Sequence, residues 1–580
     1  MCVIIFEKQK RISAIYIGVH MKTIKAVLLL ILSLTLIFPL MSCNENEQSN
    51  DDQSPESEEF VYRLSDSGEI SITRCKSTGE NIVIPSTIDG NPVTSISEKA
   101  FFMNSTATEI TVPSGVTIIG ASAFEACSAL KKINISSTVS YIGDMAFANC
   151  AKLKTVVVES NSALKQIGKN AFYHCNSLET NEYENTIYLS SGSNGHAILV
   201  SAVSPDITVA KIHPDTKIIT ATAFSKCTSL KEITIPENVE YIGDEAFYGC
   251  SNLDMIYYNA IRLNDLNPGS GVFKLAATNS KTMTLQVGEN VERIPAYLMD
   301  SANRFRILNF DDGAVCSEIG KRAFAGTPLK ELTIPQSIKI IEDFAFYNCE
   351  WLDTVKLDAE NLSDFADDNS IFAGAGVYAE IDITVTFGRT AKRIPANFLS
   401  TLDEIIYVKF ENNNVTKSFG KNAFKNCNTI REVRVTSRKA WCESTFENEY
   451  SNPLRYGNAL FYVNDKSVTE GFVLTEDIRF ISDYAFMGYK NMEKIIIPKS
   501  VTYIGNNAFY GVENLYIIYW GGDAEGWNNL DIKDGNTVLG SSTIYHYWAK
   551  ELGRPTVPGN YWYLDEEAGT PVKWLNLSGS

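Results

Sequence analysis

The chain has 580 residues, 44% of them hydrophobic, and a formal net charge of −18. At this length one compact core is not expected, so we predict either several domains or an elongated repeat array. The acidic balance argues against a nucleic-acid-binding protein, which needs a patch of lysine and arginine, and against electrostatic docking on anionic lipid.

An export signal is the first feature in chain order. Met21 opens a short basic segment, and residues 26–40 are almost wholly apolar, which is typical of a signal peptide and short for a membrane-spanning helix. The Leu-Met-Ser-Cys sequence that ends at Cys43 resembles the lipobox of bacterial lipoproteins. This resemblance implies a signal peptide over residues 21–42 and lipidation of Cys43. We interpret residues 1–20 as upstream of the true start, and an ordinary signal peptide with an incidental cysteine is the alternative.

A polar segment follows the lipobox. Residues 43–59 are rich in Asn, Asp, Glu, Gln and Ser, and no large apolar residue occurs between Cys43 and Phe60. Such a composition cannot bury a core, so we predict a disordered tether. Acidic residues this close to Cys43 resemble the surface-export signals of Bacteroides-type lipoproteins. The implied location is the outer membrane, with the protein exposed on the cell surface and touching the membrane only through its lipid anchor.

One phrase then returns along the chain. Residues 233–250 read Ile-Thr-Ile-Pro-Glu-Asn-Val-Glu-Tyr-Ile-Gly-Asp-Glu-Ala-Phe-Tyr-Gly-Cys, and similar copies occupy 133–150, 332–349 and 495–512. The phenylalanines of the phrase recur at spacings of 22 to 25 residues within each group, at Phe124, Phe147 and Phe172; Phe224 and Phe247; Phe324 and Phe346; and Phe486 and Phe509. A period in the twenties predicts a leucine-rich-repeat-type solenoid.

Each part of the phrase has a physical interpretation. Ile-x-Ile alternates like a strand with one buried face, and the proline after it ends the strand. Val-x-x-Ile is a second buried pair, and we expect the glycine after it to make a turn at positive φ. Ala-Phe-x-x-Cys-x-x-Leu predicts a short helical or 3-10 turn packed inward. One coil cannot enclose a core, so neighbouring coils must stack.

This phrase resembles the BspA-like leucine-rich repeat family of bacterial surface proteins. The resemblance covers Phe60 to His546. It implies a β-rich N-terminal cap over residues 60–81, a solenoid with insertions over 82–518 and an aromatic-rich C-terminal cap over 519–580. Relatives act in adhesion to host matrix proteins and in coaggregation, which the resemblance extends to this chain as an expectation.

Four segments interrupt the period, at residues 179–206, 254–284, 358–382 and 436–470. Insertions in solenoids map to loops, often on one face, so we predict shallow hairpins there. These loops either make the contacts with a partner or have no role in binding.

Cysteines occupy one slot of the repeat. That slot points inward, so we predict reduced thiols that pack as small hydrophobic groups, and a disulfide or soft-metal ladder between neighbouring coils is the alternative. The cysteines concerned are Cys127, Cys150, Cys175, Cys227, Cys250, Cys349 and Cys427.

No motif for catalysis is present. The five histidines lack metal-ligand spacing, and there is no nucleophile elbow, phosphate-binding loop or dinucleotide fingerprint, so we predict a non-enzyme without cofactor or metal. Tryptophans cluster after the last repeat. They predict either a C-terminal cap or an exposed platform that stacks on sugars, for which Trp548 and Trp562 are the weak candidates.

These observations favour a monomeric cell-surface lipoprotein that binds a host or microbial surface or matrix protein through its solenoid. The alternatives are a carbohydrate-binding lipoprotein that uses the C-terminal aromatic residues, and a purely structural envelope protein. Nucleic acid is not an expected partner.

Overall fold

The computed structural model of the chain describes residues 57–159, 162–190, 195–280, 282–402, 404–411, 417–457, 459–468, 471–565 and 570–574. The predicted start segment, the signal peptide, Cys43 and nearly all of the tether lie outside these residues. The predictions made for them are therefore neither confirmed nor contradicted by the structure.

Short strands dominate the described residues, in agreement with the predicted solenoid. In chain order they are β1 (Phe60–Leu64), β2 (Ile70–Cys75), β3 (Asn81–Val83), β4 (Thr87–Ile88), β5 (Asn91–Ile96), β6 (Glu109–Val112), β7 (Ile118–Ile119), β8 (Lys132–Ile135), β9 (Tyr141–Ile142), β10 (Thr155–Val158), β11 (Gln166–Ile167), β12 (Thr180–Tyr183), β13 (Thr186–Leu189), β14 (Ile198–Ala202), β15 (Ile218–Ile219), β16 (Glu232–Ile235), β17 (Tyr241–Ile242), β18 (Met255–Tyr258), β19 (Met283–Val287), β20 (Arg293–Ile294), β21 (Phe305–Phe310), β22 (Glu318–Ile319), β23 (Glu331–Ile334), β24 (Ile340–Ile341), β25 (Thr354–Leu357), β26 (Ile383–Phe387), β27 (Arg393–Ile394), β28 (Ile405–Phe410), β29 (Ser418–Phe419), β30 (Glu432–Val435), β31 (Thr445–Phe446), β32 (Leu460–Val463), β33 (Lys466–Ser467), β34 (Phe472–Val473), β35 (Phe480–Ile481), β36 (Lys494–Ile497), β37 (Tyr503–Ile504), β38 (Ile517–Trp520), β39 (Asp531–Ile532), β40 (Thr543–Tyr547), β41 (Tyr561–Asp565) and β42 (Thr570–Lys573).

Helices are few and short in the same residues. They are α1 (Arg438–Cys442), α2 (Ala524–Asn528) and α3 (Thr537–Ser541), with 3-10 helices at Glu449–Ser451, Pro453–Tyr456 and Lys550–Leu552. The fold is therefore a leucine-rich-repeat solenoid built mostly from strands.

The Ile-x-Ile part of each phrase forms what we call the long-strand ladder. Its strands pair in parallel and in register, so that Ile110 of β6 lies beside Ile133 of β8, which lies beside Val156 of β10. All three side chains are buried, because alternate residues of a strand point to opposite faces. The residues between them point outward and are free of the repeat's packing constraint.

The ladder is divided into four sheets within the described residues. Their strand orders are β3-β6-β8-β10, then β16-β18-β19-β21, then β23-β25-β26-β28-β30-β32-β33, and finally β34-β36-β38-β40-β41-β42. The Val-x-x-Ile parts form shorter parallel ladders, in which Ile119, Ile142 and Ile167 follow one another from β7 to β9 to β11. This confirms the predicted second buried pair.

The Ala-Phe-x-x-Cys segment makes tight turns rather than a continuing helix. The N–H groups of Ala146 and Cys150 each donate to the carbonyl three residues back, as a 3-10 turn requires. The intervening Phe147 N–H donates instead to Ala171 of the next coil, at 2.8 Å. Met145 and Asn149 adopt left-handed φ angles of 55° and 62°, which stop helix propagation. The hydrogen bonds within the turn and those to the next coil together satisfy backbone groups that lie close to the core.

The repeat glycine does not have the role that we predicted. Gly143 is absent from the positive-φ residues, and the same holds for Gly120 and Gly243. A Cβ atom at Gly143 would lie 2.5 Å from the backbone nitrogen of Ala121 in the preceding coil. Close approach of two backbones therefore explains the glycine, and the prediction of a positive φ was wrong.

Stacked phenylalanine rings fill the core beside these turns. The rings of Phe124 and Phe147 lie 5.2 Å apart and are parallel within 1°, and Phe172 continues the stack at 5.4 Å. Later stacks join Phe247 to Phe273 and Phe346 to Phe372, at 5.1 and 5.6 Å. Such offset stacking is favourable beyond the burial of the rings alone.

The four period-breaking segments have different structures. Residues 179–206 form the predicted hairpins, since β12 pairs antiparallel with β13, which pairs antiparallel with β14. The prediction of hairpins was wrong for 254–284 and 358–382. Strand β18 pairs in parallel with β19, and β25 pairs in parallel with β26, so only the loops between these ladder strands are longer. Residues 436–470 combine α1 and two 3-10 helices with the small β32–β33 hairpin.

A one-residue deletion accompanies the break between β21 and β23. In regular coils the ladder residue lies nine positions after the stacked phenylalanine, as Ile133 does after Phe124 and Val355 does after Phe346. Leu332 lies only eight positions after Phe324. After this shortened coil, no backbone hydrogen bond joins β23 to β21. Both strands lie wholly within the described residues.

The repeat cysteines point inward, as predicted. The thiol of Cys150 donates to the carbonyl oxygen of Phe124 at 3.1 Å, and the Cys175 thiol donates to that of Phe147 at 3.0 Å. Burial raises the pKa of the Cys175 thiol to about 12, and it raises that of Cys250 to the same value. The described cysteines are free thiols in this arrangement, which favours the packing interpretation.

Thiol counting tests that interpretation. We expect the lipid-free mature chain, residues 44–580, to react with a thiol reagent at pH 8 through Cys75 at most, because Cys75 is only partly buried whereas the other described cysteines are buried. After denaturation without reductant, all ten described cysteines should react. A denatured count near zero would instead support the disulfide ladder.

Candidate functional site

The outward side chains of the long-strand ladder form the best-defined surface of the molecule. In-register pairing places Thr384 of β26, Tyr407 of β28 and Glu432 of β30 next to one another. A second row, two residues further along each strand, continues from Lys409 to Arg434. Adjacent members of a row are separated by the strand spacing of about 4.8 Å.

A groove of about 640 Å³ runs over these two rows, and we call it the Tyr407 groove. Its size lies within the range of ligand-binding clefts. The residues that line it are Ile381, Asp382, Thr384, Tyr407, Lys409, Glu432, Arg434 and Asp465.

Arg434 is held rigidly at the groove. Its guanidinium donates to Glu432 at 2.7 Å and to Asp465 at 3.0 Å, and its carbon centre lies 4.1 Å from the ring centroid of Tyr462. Hydrogen bonding to Glu432 raises the pKa of Arg434, so the group stays charged. A planar cation fixed by two carboxylates and an aromatic ring loses little freedom on binding a partner.

The rest of the groove offers an exposed cation and a tyrosine. Lys409 is exposed and takes part in none of the ion pairs found among the described residues. The Tyr407 hydroxyl donates to Asp382 at 3.5 Å. Tyrosine and arginine are enriched at the centres of protein interfaces. The mixture of both charges with Tyr407 therefore suits a protein surface better than a uniformly charged polymer.

An exposed apolar ridge borders the groove at Ile381. The side chains of Val377 and Ile381 are 58% and 62% exposed, and Tyr378 between them is also exposed. The Tyr378 ring lies 6.2 Å from Trp351. Clustered exposed apolar side chains of this kind mark interaction sites.

A second groove of about 900 Å³ lies on the same face, where β21 and β23 fail to pair. We call it the Asp312 groove. Its polar lining is carboxylate, carboxamide and hydroxyl groups, from Gln286, Asn309, Asp311, Asp312, Thr333, Gln336, Ser337 and Glu360.

The tryptophans singled out from the sequence are largely packed. Trp562 is 4% exposed, and its indole N–H donates to the Trp520 carbonyl oxygen at 2.8 Å. Trp548 is half-buried, and its indole N–H donates to Gly553 at 2.9 Å. The ring of Trp562 packs against Tyr519 at 5.4 Å. These contacts give Trp562 a packing role, and sugar binding through either tryptophan stays a prediction.

Among the described residues, no group of three or more His, Cys, Asp or Glu side chains is placed to hold a metal ion. Lys417 is a buried lysine, and burial lowers the pKa of its ammonium to about 8. Its Nζ donates to the carbonyl oxygens of Ala391 and Gly388, beside a cavity of only about 20 Å³. This arrangement leaves no room for a substrate and supports a structural role.

The geometry defines the protein as a leucine-rich-repeat solenoid with an open, grooved ladder face. The family model for the BspA type leucine rich repeat region matches six copies, over residues 74–193, 203–311, 268–387, 317–452 and 457–524. These matches span well over half of the chain, so the chain belongs to the BspA-type leucine-rich repeat family. Repeats of this family suggest a protein-interaction module and are typically non-enzymatic.

Solved structures show likenesses of the same kind. A leucine-rich repeat protein from Bacteroides ovatus is 22% identical, with 83% of this chain and 99% of that chain covered and a TM-score of 0.32. A leucine rich cell surface protein from Faecalibacterium prausnitzii is 17% identical over the same shares, with a TM-score of 0.19. None of the curated proteins matches the chain significantly.

The helices of the described residues are short. In that part of the chain, none is both long enough and apolar enough to cross a bilayer.

Lys417 generates a prediction for stability. Its pKa is lowered from 10.5 to about 8 on folding, so between these pH values the unfolded chain binds a proton that the folded chain does not. The contribution of Lys417 to the free energy of unfolding should therefore rise with pH across this interval, by up to about 3 kcal/mol. The buried thiols, whose pKa is raised on folding, contribute with the opposite sign. The Lys417 contribution is therefore measured as the difference between the unmodified lipid-free chain and Lys417→Met in urea unfolding at pH 7.5 and pH 10. Lys417→Met, which keeps the side-chain volume, should be more stable at pH 7.5 and should lose this part of the pH dependence. An unchanged pH dependence in that variant would show that Lys417 is not the group responsible.

Proposed function

We propose that this protein is a cell-surface lipoprotein and an adhesion module, which binds a host or microbial surface protein through the Tyr407 groove. The observation that carries the proposal is the Arg434 cluster, a fixed cation beside exposed Lys409 and Tyr407 on the outward face of successive strands. Folding alone does not require these side chains, because the core is formed by the opposite face of the same strands.

The domain organisation that we propose follows the sequence. Residues 21–42 are the signal peptide, Cys43 carries the lipid, and residues 43–59 are a tether long enough to hold the solenoid away from the membrane. The chain carries a net negative charge, so anionic lipid does not attract it. The lipid anchor holds the protein at the cell surface, and the grooved face binds the partner.

Binding assays on the lipid-free mature chain test the proposal. We expect it to bind at least one member of a panel of immobilised host matrix proteins and intact bacterial cells, measured by biolayer interferometry. The double variant Tyr407→Ala, Lys409→Glu should weaken that binding at least tenfold, since it removes an aromatic contact and inverts a charge at the groove.

A matched double variant on another sheet is the control. Tyr257→Ala, Lys231→Glu makes the same chemical changes at an outward position of β18 and at an exposed lysine just before β16. It should leave binding within twofold of the unmodified chain. Equal binding by the Tyr407 double variant, or no binding to any member of the panel, would contradict the proposal.

A further inference from the structure

The sheet of β12, β13, β14, β15 and β17 lies between two hydrophobic cores, and we call it the joint sheet. Leu199 and Ile219 of this sheet are buried in the larger core. Ile198 and Ile218, one position earlier in each strand, are buried in the N-terminal core that begins at Phe60. Because successive residues of a strand point to opposite faces, the joint sheet packs one core on each face and so connects them.

Two histidine rings stack at one end of the joint sheet. His196 lies just before β14, and His213 lies in the segment before β15. Their rings are 4.2 Å apart and parallel within 11°. Two tyrosines of the β12–β13 hairpin meet the stack at steep angles, Tyr183 at 4.7 Å from His213 and Tyr188 at 5.2 Å from His196. The stack therefore joins the hairpin, β14 and the approach to β15.

The hydrogen bonding of the stack requires an uncharged ring at His213. Its Nδ1 accepts the backbone N–H of Asp215 at 3.1 Å, so this nitrogen carries no proton and the ring proton is on Nε2. A second proton can enter the ring only at Nδ1, where it breaks this hydrogen bond. Burial and the neighbouring His213 lower the pKa of His196 from its ordinary value of 6.5. Both observations show that the stack favours neutral rings.

Few charged groups face the stack. The carboxylate of Asp215 acts on His196, and its Oδ2 lies 3.9 Å from Nδ1 of His213. Lys211 and Glu184, which lie beyond the turn of the hairpin, pair with each other at 3.7 Å. One partly exposed carboxylate can balance one imidazolium. A second proton therefore places two positive rings 4.2 Å apart with a single counter-charge.

We propose that the His196–His213 stack is a pH-sensitive latch, which holds the β12–β13 hairpin on β14 near neutral pH and opens when both rings are protonated. Opening loosens the joint sheet, through which the two cores are connected. In the proposed adhesion module the N-terminal core lies next to the tether, whereas the Tyr407 groove lies on the larger core. The latch therefore controls how rigidly the groove is held relative to the anchor. This last consequence rests on the proposed function, but the latch itself needs no partner.

Hydrogen–deuterium exchange at pH 7.5 and pH 5.0 tests the latch on the lipid-free mature chain, after correction for the intrinsic exchange rates. Because the pKa of His196 is lowered on folding, the unfolded or opened form binds the proton more readily, and acid below pH 6.5 favours opening. We expect the amides of β13 and β14 to exchange at least tenfold faster at pH 5.0. Those of β6 and β8, which lie away from the stack, should change less than twofold.

Two variants separate the stack from other groups that titrate in acid. His196→Phe keeps an aromatic ring and removes one of the two charges, so the acid effect on β13 and β14 should fall below twofold. His174→Asn is the matched control. It removes an exposed histidine outside the stack, at a left-handed φ of 58° that asparagine tolerates, and should keep the full acid effect.

Histidine NMR on the unmodified chain supplies a second measurement. The Cε1–H resonances of His196 and His213 are identified by their absence from the spectra of His196→Phe and His213→Asn. In the unmodified chain they should titrate in two separate steps, with one midpoint below pH 6. Independent titration of both rings near pH 6.5 overturns the proposal. Equal exchange of β13 and β14 at both pH values, or an acid effect that persists in His196→Phe, overturns it as well. No partner enters these measurements, so a failure of the adhesion proposal is distinguishable from a failure of the latch.

Discussion

Pairing of backbone groups between successive coils is the interaction on which this structure depends. A single coil buries few side chains and cannot enclose them, so each coil needs the next one to complete its core. The nine-residue spacing from Phe124 to Ile133, repeated from Phe346 to Val355, delivers each strand to its place in the ladder. The glycine at position 143 belongs to the same constraint, because a Cβ atom there would collide with the preceding coil.

This constraint divides the side chains by role. Inward residues such as Phe147 and Cys150 are completely buried and serve packing. Outward residues of the same strands are free to vary, and at Tyr407 and Arg434 they build a groove of mixed charge. A change in the spacing from the stacked phenylalanine to the ladder residue has only a local effect, because each coil pairs in the ladder only with the coils before and after it. The shortened coil before Leu332 interrupts the hydrogen bonding of the ladder between β21 and β23, while the strands on either side remain paired.

Periodicity was enough to predict the solenoid, the buried Ile-x-Ile and Val-x-x-Ile pairs and the inward cysteines, since each follows from a repeated pattern of apolar residues. The glycine role was misjudged because close approach of two coils is a property of the stack and cannot be seen in one coil. Long loops at 254–284 and 358–382 look like insertions in sequence, yet the ladder passes through them. The Tyr407 groove was not predicted, because outward residues carry no periodic signal. The shortened spacing before Leu332 was readable, and it is the sequence signal for the Asp312 groove.

The central claim is that hydrogen bonding between coils is continuous along β16–β21 and along β23–β32 but interrupted between β21 and β23. Hydrogen–deuterium exchange of the lipid-free chain tests this claim most directly. We predict that the amides of Leu308 and Thr333 exchange much faster than those of Leu285 and Lys356, which are bonded within the ladder. Equal protection of all four amides would show that β21 and β23 are paired in solution, and would contradict the account.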